Sequence, residues 1–231
     1  MYLDPLDLVG VSFFIASMAL LASTVFFVLE RGDVPAAWRT SLSVAALVTG
    51  IAFVHYMYMR EVWIETQTSP TVFRYIDWFI TVPLQIIEFY CILQAVGYRS
   101  VALFLKLLIA STLMLGFGYV GELGVMNATL GFVLGTLAWL YILYELFVGE
   151  VKLAQTQANK PSCDYALEGL KWIVTVGWAI YPLGYVLGYL TTTVDVGTLN
   201  VVYNLADFVN KIAFGLIVWA AARMGAPEGE K

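Results

Sequence analysis

Apolar residues run along this chain in long blocks that short polar stretches interrupt. The blocks have about the 20-residue length that an α-helix needs to cross the hydrocarbon core of a bilayer. Seven such blocks, called spans below, lie at roughly 5–29, 38–59, 71–94, 100–120, 125–148, 166–190 and 198–222. The pattern therefore predicts an all-α membrane protein with a single seven-helix domain over residues 1–231.

Turn-forming and charged residues mark the breaks between the spans. The clearest breaks are ERGDVP after the first span, QTSP after the second and KLAQTQANKPSCD after the fifth. The weakest break separates the fourth and fifth spans, where only Gly121, Glu122 and Gly124 interrupt the apolar sequence. We expect loops at each of these positions.

Composition narrows the possible functions. The chain is 61% hydrophobic and 13% charged, whereas a soluble domain carries about 25% charged residues. The net charge of −5 comes without a basic stripe, which excludes nucleic acid as an expected partner. No metal-ligand cluster, nucleophile–base pair or phosphate loop indicates an enzyme. The first residues, MYLD, have no basic region and predict no signal peptide.

Basic residues are distributed unevenly between the two sides of a seven-span chain. One side, formed by the loops after spans one, three and five and by the C-terminus, holds nine of the 12, and the other holds only Arg60. The nine are Arg31, Arg39, Arg99, Lys106, Lys152, Lys160, Lys171, Arg223 and Lys231. Since loops rich in Lys and Arg stay in the cytoplasm, we predict an extracellular N-terminus and a cytoplasmic C-terminus.

Five ionisable residues lie deep inside the spans: Arg74, Asp77 and Glu88 in the third, and Asp207 and Lys211 in the seventh. Each would cost roughly 2.5–3.5 kcal/mol at the centre of a spanning helix. Asp207 and Lys211 are four residues apart and therefore share one helix face. We expect the third and seventh spans to face each other, so that opposite charges pair.

Glu88 is set apart from the other charges of the third span. It follows Asp77 by three helical turns, which is about 16 Å along the axis. With the predicted topology, Asp77 lies toward the outside and Glu88 toward the cytoplasm, with Lys211 between them. Burial without a partner favours the protonated form of Glu88. This order is typical of a proton relay, and the alternative is a set of structural ion pairs that holds the helices together.

The segments that carry these charges resemble those of microbial rhodopsins. DFVNKIAFG resembles the seventh helix of that family, RYIDWFITVP the third and WAIYPLGY the sixth. The resemblance is closest to the proteorhodopsins, through HYMYMR, VWIETQTSPTVFRYIDW and YNLADFVNK, and it runs along essentially the whole chain. It implies a multi-pass protein of the plasma membrane that moves protons across the lipid bilayer.

The resemblance also implies a role for each buried charge. Lys211 would bind all-trans retinal as a protonated Schiff base, Asp77 would accept its proton, and Asp207 would be the second counter-ion. Arg74 would set the field of this cluster, and Glu88 would return a proton from the cytoplasmic side. The third-helix pattern of acid, threonine and acid, here Asp77, Thr81 and Glu88, accompanies outward proton pumping in that family.

Other residues match the surroundings of the retinal in that family. Trp78, Trp178, Tyr181 and Tyr185 would form an aromatic box, although an aromatic stripe at this spacing is more often plain core. Pro182 would kink the sixth helix and act as a hinge.

His55 and Gln85 are matched in the same way. The resemblance implies that His55, the only histidine, hydrogen-bonds Asp77, where a packing role is the alternative. It implies that Gln85 marks a blue-absorbing type, where a bond to a neighbouring helix is the alternative.

One feature of the best-known relative, bacteriorhodopsin, is missing. That protein has a pair of glutamates that releases a proton early, whereas the segment before Asp207 has no glutamate and carries Leu199 at one of those positions. Asp195 would be a weak substitute, so late release is expected.

The sequence thus favours a light-driven outward proton pump. One rival is a slow-cycling sensory rhodopsin that signals to a partner, and a remote rival is a retinal-free proton-coupled transporter. Glu88 separates pump from sensor, because sensors commonly lack a carboxylic donor there. The resemblance further implies a ring-like homo-oligomer, a pentamer or a hexamer.

Overall fold

A computed structural model of the chain describes residues 4–224. Two sequence predictions concern residues outside this range. They are the signal-peptide prediction, which includes residues 1–3, and the predicted cytoplasmic position of Lys231. Within the described part of the chain, all regular elements are helical. They are α1 (Leu8–Glu30), α2 (Arg39–Thr66), α3 (Thr71–Ala95), α4 (Val101–Glu122), α5 (Ala128–Phe147), α6 (Glu150–Ala158), α7 (Pro161–Trp172), α8 (Ile180–Tyr185) and α9 (Val196–Met224).

These elements form seven rods that are long and apolar enough to cross a membrane. The fifth rod, Ala128–Ala158, joins α5 and α6. The sixth, Pro161–Leu190, joins α7 and α8 through the π-helical turn Ile173–Gly177 and ends in a second one, Val186–Leu190. The predicted seven-helix bundle is confirmed, and the chain is a multi-pass protein of the cell membrane. Several exposed apolar residues of α5 recur at helical spacing and form a face suited to lipid: Leu130, Val133, Leu137, Leu140 and Tyr144.

One predicted loop is wrong. The segment after the fifth span, expected to be a loop through residue 164, contains the helix α6 and the start of α7. Hydropathy missed α6 because its many polar residues hide a small buried face, formed by Val151, Ala154 and Gln155. The actual break is short: Asn159 ends α6 in the left-handed region (φ 45°), and Pro161 begins α7.

The rods pack as a closed ring in chain order, with α9 returning to contact both α1 and α7. The helix α3 is the most enclosed of the seven rods, since 61% of the residues in its most apolar stretch are buried. The break between α4 and α5 is a tight turn after which the two helices pack closely. A Cβ on Gly131 would lie 2.9 Å from the Cα of Gly121, so small residues permit this approach.

Candidate functional site

Lys211 lies at the centre of the bundle and is 3% exposed. Its Nζ donates to Asp77 Oδ2 on α3 at 2.5 Å and to Asp207 Oδ2, one turn earlier on α9, at 3.1 Å. The structure thus brings the third and seventh spans face to face, as the buried charges predicted. One ammonium faces two carboxylates, which leaves this group of three with one net negative charge.

Asp207 is surrounded by hydrogen-bond donors. Tyr181 donates its hydroxyl to Oδ1 at 2.5 Å, Tyr56 donates to Oδ2 at 2.7 Å, and Trp78 Nε1 lies 3.2 and 3.1 Å from the two oxygens. With Lys211, four side chains donate to this one carboxylate. Donors of this kind stabilise the charged form of a buried acid, so the surroundings of Asp207 favour a permanent anion.

Asp77 has far fewer partners. Lys211 is its one hydrogen-bond donor among the described side chains, and Asp77 Oδ1 has none. His55 Nδ1 lies 3.7 Å from Oδ1, beyond hydrogen-bond distance, and instead lies 3.0 Å from Ile51 O of its own helix. The expected bond between His55 and Asp77 is therefore not formed here. Thr81, one turn along α3, donates its hydroxyl to the backbone oxygen of Asp77 at 2.9 Å.

Arg74 does not pair directly with either carboxylate, contrary to the expected mutual pairing of charges. Its Nη2 donates to Asn200 Oδ1 and Asn204 Oδ1, both at 2.9 Å, and its Nη1 donates to the hydroxyl of Tyr56 at 3.3 Å. Tyr56 then links the guanidinium to Asp207. The two asparagines were missed by sequence reasoning, although their spacing of four residues on α9 places them on the Asp207 face.

Glu88 is isolated. It is fully buried, and neither of its oxygens has a hydrogen-bond partner among residues 4–224. Ser41 of α2 lies beside it, but the Ser41 hydroxyl is also unbonded. Below, the part of the bundle that contains Tyr56, Arg74, Asn200 and Asn204 is called the Arg74 half, and the part that contains Ser41 and Glu88 is called the Glu88 half.

A cavity lies between the helices, and Lys211 is part of its wall. Every aromatic residue predicted for the box lines it, as do Pro182 and Gln85. The predicted members are Trp78, Trp178, Tyr181 and Tyr185, and further wall residues are Tyr75, Met114, Trp139 and Tyr203. Gln85 is 2% exposed, and its Nε2 has no hydrogen-bond partner.

Glu122 also lines this cavity, and sequence reasoning treated it only as a turn residue. It is the last residue of α4, and its Oε1 accepts a hydrogen bond from the hydroxyl of Tyr75 at 2.8 Å. One indication of its role is present in the sequence, because Glu122 is an acidic residue that directly follows an apolar span. Asp195, in contrast, lies outside the spans, where hydrogen bonds from Thr198 hold its pKa below the usual value.

Comparisons with known proteins agree with this architecture. A green-light absorbing proteorhodopsin from Gamma-proteobacterium EBAC31A08 is 57% identical over 223 residues, which cover 95% of this chain and 88% of that protein. A blue-light absorbing proteorhodopsin from Gamma-proteobacterium Hot 75m4 is 53% identical over 222 residues, with the same coverage.

The crystal structure of the blue light-absorbing proteorhodopsin from Med12 superposes with a TM-score of 0.84 at 54% identity, covering 94% of this chain and 99% of that one. Residues 7–224 match the family described as bacteriorhodopsin-like protein. With this match over nearly the whole chain, and with a buried lysine held between two carboxylates, the chain belongs to the bacteriorhodopsin-like family.

Proposed function

We propose that this protein is a light-driven outward proton pump that carries all-trans retinal on Lys211. One observation supports this function above all others: Lys211 separates a carboxylate with a free oxygen, Asp77, from an isolated buried carboxyl, Glu88. A pump needs an acceptor and a donor on opposite sides of the group that carries the proton. The same order of residues is what the resemblance to proteorhodopsins implies.

The cavity fits a long apolar cofactor with one reactive end. Its walls are mostly aromatic and apolar, and Lys211 is the one lysine among the described residues that line it. When bound there as a protonated Schiff base, retinal supplies the absorption of light and a change of shape at the lysine nitrogen. The unpaired Nε2 of Gln85 points to a polar contact that protein atoms alone do not provide.

The Arg74 half determines which carboxylate receives the proton. Protonation of Asp207 would disturb the hydrogen bonds that it accepts from Tyr56, Trp78 and Tyr181, so Asp207 remains the anion. Asp77 loses much less on protonation, because its Oδ1 has no hydrogen bond. The proton of the Lys211 nitrogen therefore passes to Asp77, which lies 2.5 Å away.

Glu88 then returns a proton to the Lys211 nitrogen from the other half. Its two unbonded oxygens and complete burial favour a neutral carboxyl, which can donate. About 16 Å separates it from Asp77 along α3, so the proton needs a path that opens between the two residues. Because Glu88 is buried and its oxygens are unbonded in the resting structure, no hydrogen-bonded path leads from it back to Asp77 through the described side chains.

The direction of transport follows from the orientation of the chain. The excess of Lys and Arg beside the Glu88 half supports a cytoplasmic position for that half and an outer position for the Arg74 half. Protons then enter through Glu88 and leave past Arg74. Since Asp195 is exposed and held as an anion by Thr198, it does not offer a release group, and we expect late release.

Two further parts of the proposal concern colour and assembly. A green-absorbing and a blue-absorbing relative match the chain over nearly the same length, so overall similarity does not decide the colour. We infer a blue-absorbing protein from Gln85 alone, which lines the cavity. A ring-like pentamer or hexamer follows from the resemblance alone.

Illumination of retinal-loaded cells in unbuffered medium tests the function. A pump acidifies the medium, and a protonophore abolishes the change. A coloured protein that gives no pH change would instead support the sensory rival. A protein that stays colourless with added retinal would support the retinal-free transporter.

A further inference from the structure

The sixth span contains a break in its backbone hydrogen bonding beside the aromatic cavity. Residues Ile173–Gly177 form a π-helical turn, in which Trp178 N donates to Ile173 O at 2.9 Å. After this turn, Tyr181 N donates to Trp178 O, and Pro182 has no N–H to donate. As a result, no backbone N–H of the described residues bonds the carbonyl of Gly177.

A side chain of the seventh span supplies the missing donor. Asn210 Nδ2 donates to Gly177 O at 2.9 Å and lies 3.4 Å from the hydroxyl of Tyr181. Asn210 is 5% exposed and Gly177 is half-buried, so this bond is partly shielded from solvent, and leaving the carbonyl unpaired there is costly. The bond joins the sixth and seventh spans at the π-helical turn.

Gly177 is the residue that lets Asn210 come this close. A Cβ at position 177 would lie 2.9 Å from Asn210 Cγ and would overlap the amide oxygen. Any side chain there would therefore push the amide away from the carbonyl. Residues 177 and 210 form a matched pair, in which one supplies the free carbonyl and the space and the other supplies the donor.

Both partners adjoin the candidate site. Asn210 precedes Lys211 on α9, and Gly177 precedes Trp178, which is part of the cavity wall. We propose that Asn210 is a positioning residue that latches the π-helical turn of the sixth span to the lysine-bearing helix in the resting state. Movement at Lys211 breaks the latch and releases the π-helical turn from α9. This inference rests on the proposed function, because light must move Lys211 to release the latch.

Amide hydrogen exchange of residues 173–182 in lipid nanodiscs tests the latch, first without retinal and then with retinal in the dark and in the light. Asn210→Ala should raise dark exchange in this segment on the order of tenfold, the usual consequence of an unmade buried hydrogen bond. Gly177→Ala should do the same by displacing the amide. The matched control is Val209→Ala, which alters an exposed apolar side chain on the same helix and should change nothing.

The double variant separates a latch from general loosening. Because either change alone removes the same bond, Asn210→Ala with Gly177→Ala should exchange little faster than either single variant. In the wild type with retinal, light should raise exchange in 173–182 toward the dark level of Asn210→Ala.

An exchange rate in the dark that is the same in Asn210→Ala and in the wild type would overturn the latch. So would a double variant whose increase in exchange rate equals the product of the two single increases. If Gly177→Ala does not fold, the contrast between Asn210→Ala and Val209→Ala decides alone. Proton export without a light-induced rise in exchange would overturn the claim that light releases the latch. An intact latch in a chain that exports no protons would count against the proposed function and not against the latch.

Discussion

On the Arg74 side of Lys211, the buried polar groups are connected to one another, whereas on the other side Glu88 is connected to nothing. Asp207 accepts hydrogen bonds from four side chains, and Arg74 donates to three oxygens. Within the described residues, neither oxygen of Glu88 has a hydrogen-bond partner, and the neighbouring Ser41 hydroxyl is also unbonded. Both regions are buried to a similar extent, so burial alone does not distinguish them.

The difference shows how direction can be built into a resting structure. The hydrogen bonds of the Arg74 half hold Asp207 in its ionised form, so the proton goes to Asp77, which has an unbonded oxygen. A lone carboxyl in an apolar region holds its proton until the region opens and a path forms. The comparison therefore assigns acceptance to Asp77, beside the Arg74 half, and gated supply to the Glu88 half, and each prediction below tests one part of it.

Lys211→Ala should have the largest effect, because both halves are organised around this amine. We expect a protein that stays colourless with added retinal, since the change removes the buried lysine that both carboxylates face. The absorption spectrum of the purified protein is the measurement. A visible, covalently bound chromophore in this variant would show that it is attached to a residue other than Lys211. The two halves would then not be organised around the attachment site.

Asp77→Asn should stop proton transport and shift the absorption to longer wavelength, because acceptor and counter-ion are lost together. The wild type should show the same red shift on acidification, when Asp77 becomes protonated. Spectra during titration and pH recordings from illuminated cells are the measurements. A variant that still pumps would remove Asp77 from the acceptor role.

Asp207→Asn is the matched comparison on the same lysine. The amide group of an asparagine at position 207 would face three side chains that donate hydrogen bonds to Asp207 in the wild type. Since the NH₂ group cannot accept these bonds, we expect Asp207→Asn to lose more stability than Asp77→Asn, by about 1–3 kcal/mol. The temperature at which each variant loses its colour measures this. Equal stability of the two variants would contradict the claim that the two carboxylates differ in their surroundings.

Glu88→Gln should slow the return of the proton to the Lys211 nitrogen, on the order of a hundredfold, as expected for loss of a general acid. The colour should barely change, because Glu88 lies about three helical turns from the carboxylates at the lysine. Flash photolysis measures the rate. The control is Glu145→Gln, a buried carboxyl at the same end of the bundle that pairs with Lys106. A rate that matches the control would exclude Glu88 as the donor.

Sequence reasoning located the charges of the site but not all of their contacts. The cost of burying Lys211 and Asp77 in separate spans required those spans to meet, and the spacing of Asp207 and Lys211 fixed a shared face. The partners of Arg74 were not predictable in this way, because Asn200 and Asn204 are neutral and carry no such cost. The orientation of His55 depends on a rotamer, and the helix α6 depends on a small buried face that a hydropathy average hides.

Gln85 gives the smallest expected effect, a shift of colour that leaves transport intact. It lies on the α3 face that lines the cavity, 2% exposed and with its Nε2 unbonded. In the dark, the positive charge of a protonated Schiff base is concentrated near Lys211, and excitation moves it toward the far end. A dipole that favours the dark distribution lowers the ground state more than the excited state, so the energy gap widens. Gln85→Leu removes this dipole and should move the absorption maximum to longer wavelength. A spectrum that does not move in Gln85→Leu would exclude Gln85 from the tuning of the colour.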